Sequence, residues 1–386
     1  QNYCIRKLMK KIVIVFSLCF FALNFVFTQN KVDASTSKEA QHSILTGLQW
    51  LEKNQEQDGS WSHYPAITAL VISSYLNSPQ GFSEENNAAV ENGVKFILQC
   101  QKPDGGIYVD ELAGYNTAIC IVALAATNNP EYVNEIQRAR DFLLSLQWNE
   151  DNGYEKTDPR FGGIGYGDKE RPDLSNLQWA IEALKESEKY RKTVAAKGKQ
   201  IEFSGKQTEG MKVASKELFW ENAIVFLSRC QNLKSTNEQS WAGNDGGFIY
   251  SPSESKAGDY TSYGSMTYAG MKSMIYANLS QNDERVKAAY EWVKKNYSVA
   301  ENPVMGNQGL FYYYQTMAKA LDAIGEDVIG RDSSSLHNWR KDILERLISL
   351  QSSEGFWVNE NARWWENQKV LVTAYTIIAM EYALGK

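Results

Sequence analysis

The stretch Gly47-Leu48-Gln49-Trp50-Leu51-Glu52-Lys53-Asn54-Gln55-Glu56-Gln57-Asp58-Gly59-Ser60-Trp61 is an amphipathic helical run that stops at a polar Gln, crosses an acidic-Gly turn and lands on an aromatic residue. The same grammar returns as Phe96-Ile97 with Gln101, Asp104-Gly105-Gly106 and Tyr108, and as Phe142-Leu143 with Gln147 and Gly153-Tyr154. Phe226-Leu227 with Gln231 and Asp245-Gly246-Gly247-Phe248 is a fourth copy, and Leu347 with Gln351 and Glu354-Gly355-Phe356-Trp357 a fifth. A degenerate copy begins at Trp292-Val293, with Tyr297 where Gln would stand. Gln55, Gln101 and Gln147 are evenly spaced, 46 residues apart, which marks a repeat architecture.

Two kinds of helical segment alternate between these turns. Those ending in the Gln turn cover about 39–54, 87–101, 132–147, 216–231, 283–297 and 335–351, and mix apolar with charged residues at helical spacing, so one face of each is solvated. Those following the turns, about 66–76, 115–126, 174–184, 261–279, 312–324 and 370–384, are apolar on most sides and predict burial on most sides. Six of each in alternation predict two concentric rings of helices. Strand signals are scarce, and no composition break marks a second domain. The Lys- and Glu-rich stretch from Ser187 to Gly210 is expected to be a solvated excursion or short hairpin.

The chain has 386 residues, is 43% hydrophobic and carries a net charge of −6. Four cations, Arg6, Lys7, Lys10 and Lys11, lie in an N-terminal leader without acids, which leaves 36 cations against 46 acids, a net of −10. So acidic a body is a poor nucleic-acid partner. Met9-Lys10-Lys11 followed by the apolar run Ile12 to Phe27 has the n-region and short h-region of a secretory signal. Residues 1–28 are therefore expected to be a leader and 29–386 the exported body, periplasmic or secreted, with no transmembrane span after processing. The body holds Cys100, Cys120 and Cys230, an odd number without a C-x-x-C pair, which predicts buried thiols rather than a disulfide framework.

The repeats resemble the QW motif of the squalene and oxidosqualene cyclases, within the wider terpenoid cyclase and protein prenyltransferase superfamily. Gly47 to Trp61 and Leu347 to Trp357 carry the resemblance best, and it extends over essentially the whole body. It implies an all-α fold, an (α/α)6 toroid of six inner and six outer helices in one domain. It also implies that the Gln and the aromatic residue tie helix ends together, and that a central cavity opens at the N-terminal ends of the inner helices. The residues expected there are Tyr64, Tyr115, Ser175, Asn176, Tyr260, Tyr263, Tyr313, Trp364 and Trp365, with Asp173, Asp259 and Glu366 as candidate acids.

Cyclisation of a triterpene needs an acid able to protonate an alkene or epoxide, and aromatic faces to stabilise the cation that follows. In the bacterial squalene cyclases that acid belongs to a D-x-D-D motif at the start of an inner helix. Asp173-Leu174-Ser175-Asn176 stands in a similar place and keeps only the first Asp. Asp173 is equally well explained as a helix cap. Asp259-x-Thr261 lacks the Cys of the prenyltransferase zinc site, and His42, His63 and His337 stand away from the inner helices, so neither metal nor cofactor is expected. Gly162-Gly163-Ile164-Gly165-Tyr166-Gly167 lacks a following Lys-Ser/Thr and reads as a tight turn, and Ser262 to Thr267 as close-packing hydroxyls. The expected function is binding of an apolar or extended small-molecule, lipid or glycan ligand in the central cavity, without the D-x-D-D acid. The alternative is an enzyme acting on an isoprenoid, of cyclase or isomerase type, or on a polysaccharide, where two carboxylates would have to face each other.

Overall fold

In the computed structural model, residues 32–167, 170–196 and 216–386 are described. The leader reading and most of the charged insertion lie outside these residues. Among them, twelve α-helices follow in order: α1 Ala34–Lys53, α2 Pro65–Leu76, α3 Ala88–Gln99, α4 Ala113–Ala126, α5 Val133–Ser145, α6 Leu174–Ala196, α7 Lys216–Arg229, α8 Gly264–Tyr276, α9 Glu284–Lys295, α10 Leu310–Ile324, α11 Trp339–Ser349 and α12 Lys369–Leu384. The even-numbered helices pack side by side in the order α2, α4, α6, α8, α10, α12 and back to α2, a closed inner ring, and the odd-numbered helices lie around it. A two-stranded antiparallel ribbon, β1 Val328–Ile329 with β2 His337–Asn338, leads into α11. The expected all-α toroid is the fold observed.

Helix composition explains the ring each helix joins. In α3 the buried face is Val90, Val94 and Ile97, while Glu91 and Lys95 pair across a solvated turn at 2.6 Å. In α2 every residue from Pro65 to Tyr75 is buried, because neighbours cover it on all sides. Helix α6 runs a full three turns past its expected end at Leu184, with Ser187, Tyr190 and Val194 buried, so the first part of the supposed excursion is helix. The Tyr190 hydroxyl anchors it by donating to the Asn129 carbonyl at 2.7 Å.

Each repeat Gln joins two structures. Gln55 Nε2 donates to the Gly59 carbonyl in its own turn at 2.8 Å and to the Ala89 carbonyl in the first turn of the next outer helix at 2.9 Å. Gln101 bonds Gly105 and Glu135, Gln147 bonds Gly162 and Phe219, and Gln231 bonds Gly246 and Arg285 in the same way. Gln351 bonds Gly355 and Ser43 in α1, and so closes the ring. In the degenerate copy the Tyr297 hydroxyl reaches Asp342 of α11 at 3.0 Å. Trp61 Nε1 and Trp357 Nε1 donate to the last-turn carbonyls of Leu51 and Leu347, capping the helices that precede them.

The turn glycine is Gly59, Gly105, Gly162, Gly246 and Gly355, each at positive φ. In the third copy this differs from the expected Gly153-Tyr154: residues Glu150–Asn152 form a short 3-10 turn inserted before the true turn at Gly162. Two residues after the glycine comes the buried anchor, which is Trp61, Phe248 or Trp357 in three copies but Ile107 and Ile164 in the second and third, so Tyr108 is not the equivalent aromatic. The three cysteines are free and buried, as expected of packed thiols.

Gly105 separates two costs. A Cβ there would stand 2.5 Å from the Arg138 carbonyl at φ +93°, whereas at Gly153, φ +82°, it would meet nothing within 4 Å. Gly153→Ala should therefore cost about 1 kcal/mol of backbone strain, and Gly105→Ala about 2–4 kcal/mol because steric strain adds to it. Chemical denaturation of the two variants beside the wild type checks the ordering; equal costs would contradict this account of the turn.

Candidate functional site

The outer helices carry their own caps: Asp33, Asn87, Asp283 and Asn338 each accept a first-turn amide of α1, α3, α9 and α11. Several inner helices borrow theirs from a neighbour. The Ala66 amide of α2 donates to Asn116 of α4, the Ser265 amide of α8 to Asn302, and the Tyr312 amide of α10 to Glu366 Oε1 at 2.7 Å. Asp173 caps α6 directly, its Oδ1 accepting the Asn176 amide at 2.9 Å and its Oδ2 the Asn176 side-chain amide at 2.7 Å. Orphan amides at these converging helix starts need acceptors, and buried carboxylates and carboxamides supply them.

Between the capped ends lies a central cavity of about 210 Å3. Its wall is mostly aromatic: Tyr64, Tyr115, Tyr166, Tyr250, Tyr263, Tyr312, Tyr375, Trp364 and Trp365, completed by Ile67, Leu112, Ser175, Ser265, Met266, Glu366 and Leu371. The Tyr115 and Tyr375 hydroxyls meet at 3.1 Å, and the Tyr312 hydroxyl lies 3.4 Å from Ser175 Oγ. Burial pushes these phenols above their ordinary range, Tyr166 to about 12, so they present neutral O–H groups. Trp364 and Trp365 form the lip, half-exposed and both at positive φ, with Trp365 edge-on to Tyr64 at 5.5 Å. Side chains this large are rarely held in the left-handed region, so the turn is a strained one.

Of the residues expected at the site, the structure brings Tyr64, Tyr115, Ser175, Tyr263, Trp364, Trp365 and Glu366 to the cavity wall. Tyr313 is not there: of three consecutive tyrosines in one helical turn Tyr312 faces the cavity, while the Tyr313 and Tyr314 hydroxyls donate to the Ser298 and Val299 carbonyls. Asn176 is turned to Asp173, away from the wall. Asp259 lies exposed at φ +44°, and Tyr260 stacks on Trp241 at 4.6 Å, both off the cavity because α8 begins later than expected, at Gly264. Asp173 stands behind Tyr166 and Tyr250, on an outward-facing pocket of about 650 Å3 that shares these two tyrosines with the cavity. Tyr166 and Tyr250 escaped the sequence reading because they lie well upstream of the helices, in the loops after the Gly162 and Gly246 turns. A usable signal was present in Thr68, Thr117, Thr267 and Thr373, one turn into their inner helices. Each Oγ1 accepts the amide of the anchor residue, Trp61, Ile107, Phe248 or Trp357, and so fixes the loop against the helix it feeds.

The acids differ in what they are free to do. Burial raises the Glu366 carboxyl, yet Oε1 accepts the Tyr312 amide and Oε2 the Asn359 side chain at 2.7 Å, so both oxygens are engaged. Burial likewise pushes Asp173 up to about 6, against the hydrogen bonds from Asn176. Among the described residues Glu366 is the one carboxylate on the cavity wall, and no second faces it. Ser175, at the position of the central D-x-D-D acid by the resemblance, does face the cavity, with a hydroxyl in place of the carboxyl.

Comparison with known proteins agrees with this architecture. A family model, the squalene-hopene cyclase C-terminal domain, matches residues 65–217. A structure of the type II terpene cyclase MstE from Scytonema with merosterolic acid A, its product, superposes with a TM-score of 0.52 at 12% identity, over 92% of this chain and 99% of that one. Two further MstE structures, one with the substrate geranylgeranyl dihydroxybenzoate and one apo, give 0.53 at 10% identity over the same shares. The chain thus has the terpenoid cyclase-like fold that its repeats imply.

A raised carboxyl favours the fold in its protonated form. The contribution of Asp173 is present below the unfolded value near 3.8 and is lost as pH rises through about 6. Asp173→Asn keeps an oxygen for the Asn176 amide but cannot titrate, so its stability relative to wild type should improve by on the order of 2–3 kcal/mol from acid to neutral pH. Denaturant melts of both proteins at several pH values check this, and parallel curves would contradict it.

Proposed function

Proceeding from the terpenoid cyclase-like fold, we propose that this chain binds a short apolar ligand, or the apolar end of a longer one, in the aromatic cavity at the inner-helix N-termini, without protonating it. The observation that carries the reading is Ser175: it stands on the cavity wall where a proton donor would be needed, and it is a hydroxyl. A serine hydroxyl is too weak an acid to protonate an alkene. Glu366 does not replace it, since Oε1 already accepts the Tyr312 amide and Oε2 the Asn359 side chain. At about 210 Å3 the cavity is smaller than the roughly 300–1,000 Å3 of sites that enclose drug-sized ligands, which favours a terpenoid of modest length over a triterpene. The lip of Trp364 and Trp365 leaves room for the remainder of a longer molecule outside. A polysaccharide-cleaving reading gains no support, because Asp259 is exposed and Asp173 lies behind the tyrosine wall. The same proposal places the protein outside the cytoplasm, on the strength of Lys10-Lys11 and the apolar run that follows.

Farnesol is a suitable probe. Native mass spectrometry of the folded protein should show one farnesol retained per chain, and Ser175→Phe, which fills the cavity from α6, should weaken retention at least about tenfold while the protein stays folded. Absence of retention by the wild type, or equal retention by the filled variant, would sink the proposal.

A further inference from the structure

The opposite end of the ring, where the inner helices finish, holds a separate cavity of about 260 Å3. Trp179 divides the two: its indole lines this lower cavity and meets Tyr115 of the upper one edge-on at 6.4 Å. Beside it three helices place a buried ion cluster. Glu182 of α6 accepts from Lys272 of α8 through Oε2 and from Lys319 of α10 through Oε1, each at 2.5 Å, and Lys272 also donates to Gln178 at 2.6 Å. The two ammonium groups hold the Glu182 carboxyl down to about 2 despite its burial. Two cations on one carboxylate leave an excess positive charge in a region of low dielectric; Glu381 of α12 is buried near Lys319 and Lys386, but burial pushes its carboxyl well above the usual carboxylate range, toward the neutral form. Glu186, the other carboxylate on this wall, is paired with Lys189 at 2.6 Å.

Two donors on the wall of this cavity lack acceptors. Ser73 Oγ and Trp179 Nε1 are buried, and neither has a hydrogen-bond partner among the described residues. Lys319, 3% exposed, gives one proton to Glu182 and has two more to give. A buried donor left unbonded costs about 1–3 kcal/mol, so three such groups around one cavity call for acceptor oxygens. Leu70, Ile119 and Ile378 give the wall an apolar side, while Asn77, Asn128, Thr193 and Lys386 keep the remainder polar. The upper cavity has the reverse character, with phenols, one carboxylate and no lysine or arginine on its wall.

We infer that the lower cavity is a second binding site, for a short-chain monocarboxylate whose oxygens accept from Ser73, Trp179 and Lys319 while its apolar tail lies against Leu70, Ile119 and Ile378. The site is independent of the farnesol-sized one above it.

Hexanoate tests it, with 1-hexanol as the neutral counterpart. Calorimetric titration of the full chain should show saturable binding of hexanoate at one per chain, with hexanol at least about tenfold weaker. Lys319→Met removes the cation but strands part of the Glu182 pairing and risks the fold, so Ser73→Ala and Trp179→Phe are the informative variants. Neither donor has a hydrogen-bond partner to lose, and each variant should bind hexanoate about five- to tenfold more weakly; Ser73→Ala should leave the melting temperature unchanged, whereas Trp179→Phe also gives up contact with Tyr115 and with the ammonium groups over the indole. Ser175→Phe, which closes the upper cavity, should leave hexanoate binding as it is. No hexanoate binding, equal binding of hexanol, unaffected Ser73 and Trp179 variants, or loss of binding in the Ser175 variant would each overturn the inference. The Ser73 variant bears on this site alone, so failure here is distinct from failure of farnesol to bind.

Discussion

The fold depends on a side-chain amide that donates twice. Each repeat Gln places one proton on the carbonyl of its own glycine turn and the other on a carbonyl of the next outer helix. That second acceptor is 34 residues ahead for Gln55 and Gln101, and 308 residues away for the ring-closing Gln351. Both bonds are partly or fully buried, where a lost partner would leave an unsatisfied carbonyl or amide costing about 1–3 kcal/mol. The glycine follows from the same geometry. The turn carbonyl reaches the Gln only if the chain passes against the neighbouring helix backbone, at a distance that leaves no space for a Cβ.

This arrangement sets the chemistry of the cavity mouth. Loops pinned from outside by Gln and from inside by Thr68, Thr117, Thr267 and Thr373 deliver the inner helices with their N-termini converging. Converging N-termini bring unpaired amides and positive dipole ends to one place, and the nearby acids are drawn into satisfying them. Asp173 and Glu366 are held in that structural work, each with both oxygens bonded. Toward the other end, the buried cations Lys272 and Lys319 pair with Glu182.

The ring was legible in the sequence because its cause is local. Gln, Gly and an anchor residue recur at short spacing, and the contrast between half-solvated and fully buried helices survives in composition. Two copies were misread where an insertion or a substitution broke the local pattern: the 3-10 turn before Gly162 hid the third glycine, and Ile107 and Ile164 replaced the aromatic anchor. The site was less legible because its members come from loops of different lengths. Tyr312 against Tyr313 is a question of helical phase, which a run of three tyrosines does not decide. Asp259 was misplaced because α8 starts late, and Tyr166 and Tyr250 reach the cavity from positions that no helix-end rule singles out.

An aromatic wall and an acid are separable parts of cation chemistry, and here the wall is aromatic while the residue that opens onto it from the start of α6 is Ser175, a hydroxyl. Ring faces attract a cation only after something has made one, and they pack equally well against a neutral apolar chain. The start of α6 decides between these uses, since one residue there faces the cavity while its neighbours Asp173 and Asn176 face each other. A carboxylic acid at position 175 would be buried beside the Tyr312 hydroxyl, and burial would hold it in the protonated form from which a general acid acts. On the proposed reading, serine at that position completes the wall without supplying the acid.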